Sequence, residues 1–166
     1  MTISLTGFMG CGKSSTGRAL AERLGARFVD LDAEIVARTG RSIPEIFREG
    51  GETAFRVAEL ETLRTVLDGA DAAGDTVLAL GGGTLTVPAA RELILSRTEC
   101  VWLRTRLETI RERLGAFDAS RPLFADAEAL FAARIPIYAQ APFVVDTDDK
   151  TPAGVADEII AKLELM

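Results

Sequence analysis

Gly7-Phe8-Met9-Gly10-Cys11-Gly12-Lys13-Ser14 decides the fold of this 166-residue chain. The string fits G-x-x-x-x-G-K-[ST] in full, and its surroundings fit as well. Thr2–Thr6 before it reads as a short buried strand. Residues 13–24 after it carry Ala19, Leu20 and Leu24 at helical spacing, with Gly25 as a stop. Glycines in such a turn let the backbone curl so that its N–H groups converge on phosphate oxygens. Lys13 adds a point charge near the β- and γ-phosphates, and the Ser14 hydroxyl can ligate Mg²⁺. The start of the helix adds its own partial positive charge. Gly10, Cys11, Gly12, Lys13, Ser14 and Ser15 are therefore the candidate nucleotide-phosphate residues. Cys11 reads as a small residue filling an x position; a redox role for a thiol at a helix start is the alternative.

Outward from this loop, apolar runs and helical periods alternate. Residues 26–30 form a second strand ending in Asp30 and Asp32, followed by a helix over about 32–39. Ser42 with Glu45, and Pro44 between them, starts the next helix as a capping box. Gly50-Gly51 interrupts it before a long helix over about 52–68. Val77–Leu80 is continuously apolar, as a strand covered on both faces should be, and ends in Gly81-Gly82-Gly83. Helices over about 88–96, 106–114, 127–139 and 152–164 alternate with strands at 100–103 and 143–146. Pro136 is expected to bend or shorten the third of these helices, and Thr151-Pro152 supplies a cap and first-turn proline for the last. Cys100, inside an apolar strand, reads as core. Strands alternating with helices predict an α/β fold with a parallel sheet, whose ligands gather beyond the carboxyl ends of the strands. Residues 115–126 break the pattern with Gly115, Asp118, Ser120 and Pro122, and are the candidate mobile loop.

Composition removes several function classes. Twenty-five acidic against 19 basic residues leave a net charge of −6, which argues against general nucleic-acid binding. With no histidine, His-based triads and zinc sites with His ligands are excluded, so proton transfer falls to a carboxylate, Lys, Cys, Tyr or water. Two cysteines make neither a disulfide framework nor a metal spacing, and a reduced cytoplasmic protein is expected. No apolar run is long enough to span a membrane, and the first residues lack the basic leader of a signal peptide. No N-K-x-D segment follows a strand, which removes the usual guanine-specificity signal.

Five further pieces carry a specific resemblance. Phe28-Val29-Asp30-Leu31-Asp32, Glu52-Thr53-Ala54-Phe55-Arg56 with Glu59, Leu80-Gly81-Gly82-Gly83, Arg121-Pro122-Leu123 and Arg134-Ile135-Pro136-Ile137-Tyr138 follow the Gly-rich loop in order. Together they resemble the shikimate kinases, of the nucleoside-monophosphate-kinase-like P-loop type, over essentially the whole chain. The resemblance implies a P-loop kinase fold, a three-layer αβα sandwich around a five-stranded parallel sheet. It implies one domain over residues 1–166, a substrate-binding region at about 32–60 and a lid at about 115–126.

It also implies roles. Arg56 and Arg134 would clamp the substrate carboxylate, a group that guanidinium forks grip bidentately. Asp32 would direct the acceptor hydroxyl, and Asp30 would help Ser14 hold Mg²⁺; either aspartate is also a natural helix N-cap. Glu59 would bind substrate and orient Arg56, or form an ordinary solvated ion pair. Gly81, Gly82 and Gly83 would let backbone approach the substrate ring. Lys13 and Arg121 would stabilise the moving charge, the latter from the lid. Arg113 and Pro152 match the adenine site, with Arg111 an alternative to Arg113 and a plain helix-start proline an alternative reading of Pro152. In this sequence Phe124 follows Leu123 where the family commonly has a second leucine. The implied reaction moves the γ-phosphoryl of ATP to the 3-hydroxyl of shikimate, with Mg²⁺ as cofactor and a monomeric enzyme expected. A gluconate or nucleotide kinase is the enzymatic alternative, and a nucleotide-binding module without activity is the alternative of another class.

Overall fold

The computed structural model describes residues 1–114 and 127–165. In chain order its elements are β1 (Thr2–Thr6), α1 (Lys13–Leu24), β2 (Arg27–Asp30), α2 (Leu31–Thr39) and α3 (Ile43–Ala73). They continue with β3 (Thr76–Ala79), a 3₁₀ turn at Thr84–Thr86, α4 (Pro88–Arg97), β4 (Glu99–Arg104) and α5 (Leu107–Leu114). After the undescribed stretch come α6 (Ala127–Tyr138), β5 (Phe143–Asp146) and α7 (Pro152–Lys162). The expected lid, with Arg121, lies outside the described residues.

Five parallel strands stand in the order β2-β3-β1-β4-β5. β1 is buried throughout because it occupies the centre, with β3 and β4 on its two sides. Strand alternation divides the core into two layers of helices. On one face Leu5, Val77, Val101 and Leu103 pack with Leu20 of α1 and Val155 and Ile159 of α7. On the other Leu78, Cys100 and Trp102 pack with Ile35, Leu63, Ile94 and Tyr138 from α2, α3, α4 and α6. Cys100 is core, as its sequence context predicts, and burial pushes its thiol up to about 11.

Register aims the chemistry. Asp30 pairs with Ala79, Ala79 with Leu5, and Leu5 with Val101, so β2, β3, β1 and β4 finish along one edge. The chain switches direction of travel across the sheet at β1, which places a crevice beyond its carboxyl end.

Local chemistry sets the helix ends. Ser42 accepts from the Glu45 N–H at 3.2 Å and Thr151 from the Gly154 N–H at 3.1 Å, so both expected caps form. α3 contains a break at Gly51 (φ 70°, ψ −168°), where a residue with a Cβ would be strained. Beyond it the helix runs to Ala73, five residues past the expected end, because Val66, Leu67 and Ala70 continue its buried stripe. The glycine run after β3 leads into a 3₁₀ turn that sequence periodicity does not reveal.

Candidate active site

The loop joining β1 to α1 is built on left-handed backbone. Gly10 and Gly12 have φ of 78° and 94°. Side chains are also barred by space: a Cβ on Gly7 would lie 2.8 Å from both Cys11 Sγ and the Leu103 carbonyl oxygen. Cys11 is buried against this turn, which favours the filling role over the redox one. Lys13 curls over the loop and donates to the carbonyls of Gly7 (2.8 Å) and Phe8 (3.1 Å). A lysine held at the rim of a coil of backbone N–H groups forms an anion site.

Asp30, at the end of β2, serves two neighbours. Its Oδ1 accepts from the Ala33 N–H at 3.2 Å and caps α2; its Oδ2 accepts from the Ser14 hydroxyl at 2.9 Å. The helix-capping alternative therefore falls on Asp30 and not on Asp32. Asp30 and Ser14 offer adjacent hard oxygen donors beside the loop. That donor set fits Mg²⁺, which takes one or two protein oxygens and fills its shell with water and phosphate.

Asp32 sits one residue into α2 and turns toward the glycine run. A Cβ on Gly81 would lie 3.2 Å from Asp32 Oδ1 and 3.5 Å from Glu59 Oε2. Partial burial raises the Asp32 carboxyl above its ordinary 3.8; the negative neighbours Asp30 and Glu59 add to this, and Lys13 and Arg56 oppose it. A carboxyl raised in this way, inside a crevice, is a recognisable acid–base candidate.

Two guanidiniums meet above the glycine run. A Cβ on Gly83 would collide with Arg56 Nη2 and lie 3.2 Å from Arg134 Nη2; one on Gly82 would lie 3.3 Å from Arg134 Nη1. Arg56 and Arg134, 78 positions apart in the sequence, thus converge on one patch of backbone. Arg56 donates to Glu59 Oε1 at 2.8 Å and lies 3.6 Å from Glu52. Glu59 is only 1% exposed, so the pair is not the solvated surface pair that i,i+3 spacing also allows. The Arg134 guanidinium lies 6.0 Å from the centre of the Phe8 ring.

Tyr138, on α6 one turn beyond Arg134, donates its hydroxyl to the Gly82 carbonyl at 2.6 Å. Burial pushes this phenol up to about 12, so it remains a donor across the ordinary pH range. Tyr138 and Thr84 are site features to which the motif reading gives no role. The only sequence signal is a hydroxyl, inside a matched motif for Tyr138 and next to one for Thr84.

Arg113 donates to the carbonyls of Gly10 and Thr147, both at 3.3 Å. It lines a cleft of about 210 Å³ with Gly12, Ser15, Pro152 and, unforeseen from sequence, Thr147 and Lys150. Arg113, rather than Arg111, stands beside the loop. Pro152 is both the first residue of α7 and a wall of this cleft, so its two readings are compatible.

Fold and site define the class: a P-loop kinase, in which the Gly-rich turn before α1 stands beside a crevice where two guanidiniums converge on a glycine run. The shikimate kinase family model matches residues 9–164. The shikimate kinase of Thermus thermophilus is 44% identical, spanning 97% of this chain and 89% of that protein. That of Paramagnetospirillum magneticum is 40% identical over 98% and 84% respectively. The solved structure of the Acinetobacter baumannii shikimate kinase in complex with shikimate superposes with a TM-score of 0.88 at 34% identity, covering 98% of this chain and 92% of that one. This chain belongs to the shikimate kinase family, ATP-dependent enzymes that phosphorylate shikimate.

Among the described residues no helix is long and apolar enough to cross a membrane.

Proposed function

We propose that this protein transfers the γ-phosphoryl of ATP to the 3-hydroxyl of shikimate, giving shikimate 3-phosphate and ADP. The observation that carries the acceptor side is the convergence of Arg56 and Arg134 on Gly83, across the crevice from Asp32. Two guanidiniums on one spot recognise a carboxylate, and the glycine run beneath them leaves room for a ring to lie against backbone.

The nucleotide phosphates fit the Gly10–Ser15 turn, with the base toward Arg113 and Pro152. Asp32 accepts a hydrogen bond from the acceptor hydroxyl and aims its oxygen at the γ-phosphorus. As the O–P bond forms, the bond from phosphorus to the β,γ-bridging oxygen breaks and ADP leaves. The hydroxyl proton passes to Asp32, whose raised pKa suits it to hold that proton. The transition state is loose, so aiming the nucleophile counts for more than strong basicity. Lys13 offsets charge gathering on the phosphoryl oxygens, and family resemblance assigns Arg121 the same task. Ser14 and Asp30 would hold Mg²⁺, which neutralises phosphate charge when bound. The acidic surface and compact fold suit a monomer working in the cytoplasm.

The test is ADP release measured with shikimate, gluconate and nucleoside monophosphates as separate acceptors. Turnover with shikimate alone is expected. Turnover with another acceptor and none with shikimate would overturn the proposal.

A further inference from the structure

Glu59 holds Arg56 in place, but something must hold Glu59. Its carboxylate is buried with one oxygen on Arg56. The other oxygen, Oε2, accepts the hydroxyl of Thr84 at 3.0 Å. Thr84 is fully buried and lies 25 residues further along the chain, at the start of the 3₁₀ turn after the glycine run.

Such a threonine has easier options. Hydroxyls in tight turns usually bond to nearby backbone, as Thr86 does here by donating to the Gly83 carbonyl at 2.6 Å. Thr84 instead reaches across to another element. Its branched Cβ leaves few rotamers, so the hydroxyl is aimed before any ligand arrives. Its backbone is tied too: the Thr84 N–H donates to the Gly81 carbonyl at 3.3 Å, joining the hydroxyl to the turn that underlies the acceptor.

Arg56 has two carboxylates to choose from. Glu52 lies on its other side, 3.6 Å away and 72% exposed, on the same helix. A Glu59 free to rotate would leave the guanidinium to follow the exposed partner away from Arg134. With Oε2 fastened to Thr84, Oε1 stays on Arg56 and the guanidinium stays over Gly83.

We propose that Thr84 is a positioning residue for acceptor recognition, setting the Arg56 half of the clamp through Glu59. This rests on the assignment of Arg56 and Arg134 as the carboxylate clamp. Thr84→Val keeps the shape and removes the donor; Thr84→Ser keeps the donor and removes a methyl group. Losing a hydrogen bond to a buried charged group is expected to raise the shikimate KM of Thr84→Val roughly tenfold. The ATP KM should stay within about twofold, and Thr84→Ser should return the shikimate KM to within about threefold of wild type. In a Glu59→Gln background, adding Thr84→Val should change the shikimate KM less than twofold, because the relay is already cut.

An unchanged shikimate KM in Thr84→Val would overturn the proposal. So would equal damage to both KM values, or full additivity with Glu59→Gln, since either marks a merely structural role. If Thr84→Val does not fold, Thr84→Ser and Thr84→Ala decide: equal shikimate KM values for the two reject the hydroxyl's role, and a roughly tenfold higher value for alanine supports it. Wild-type enzyme inert toward shikimate would be a separate failure, of the acceptor assignment, and would take this proposal with it.

Discussion

The proposed nucleotide cradle and the proposed acceptor site are built differently. The cradle is eight consecutive residues whose function lies in their backbone: positive φ at Gly10 and Gly12 and a lysine folded over its own loop. The acceptor site takes Asp32 from α2, Arg56 from α3 and Arg134 from α6 and sets them around the turn after β3. A contiguous site depends on local conformation and is damaged by changing its own residues. A dispersed site depends on packing, so it can also be damaged from behind, through Thr84 or Tyr138.

The largest effect separating the two should come from Lys13→Ala, with kcat expected to fall about 10²–10³-fold while the protein stays folded. Steady-state kinetics beside a thermal melt checks this, and near-normal turnover would refute the cradle's assignment. Next, Arg56→Ala and Arg134→Ala should each raise the shikimate KM by about 10–100-fold, leaving the ATP KM nearly unchanged. Equal damage to both substrates would mean that the regions do not divide the labour.

A smaller change sharpens the contrast. Gly83→Ala meets only the ends of two flexible arginine side chains, so the melting temperature should barely move. Displacing those ends should still raise the shikimate KM several-fold, to about tenfold, a loss of about 1.4 kcal/mol. The subtlest effect is on stability. The folded-state pKa of Asp32 is raised above its ordinary value, so its ionised form costs stability at neutral pH. That cost is absent below about pH 3.8 and grows as pH rises through the raised folded value. Asp32→Asn should therefore melt higher than wild type at pH 7, lose the advantage as pH falls toward 4, and be severely impaired in turnover. Melting curves across pH check the sign.

Much of the fold was legible because its signals are local. Apolar runs marked the strands, Ser42 and Thr151 marked helix starts, and the Gly-rich loop between strand and helix announced a nucleotide site. The 3₁₀ turn at Thr84–Thr86 was not legible, since three residues carry no period. Nor was the end of α3, whose last turns are held by burial and not by any stop signal short of Gly74. At the site, helix capping was an alternative reading for Asp30 and Asp32 alike, and weighed most at Asp32. Only the path of α2 gives the capping bond to Asp30 and turns Asp32 toward Gly81. Glu59 was equally readable as a surface ion partner, because i,i+3 spacing is the same whether a helix face is wet or dry.

From its sequence alone, this protein's strand–loop–helix start, its alternating elements and its phosphate chemistry were determined, since each depends on residues within one or two turns of one another. Tertiary structure alone decided that Arg56 and Arg134 meet, that Glu59 is buried, and that Thr84 and Tyr138 stand behind them. Those relations depend on how distant helices pack against one sheet, and no local pattern of residues encodes that distance.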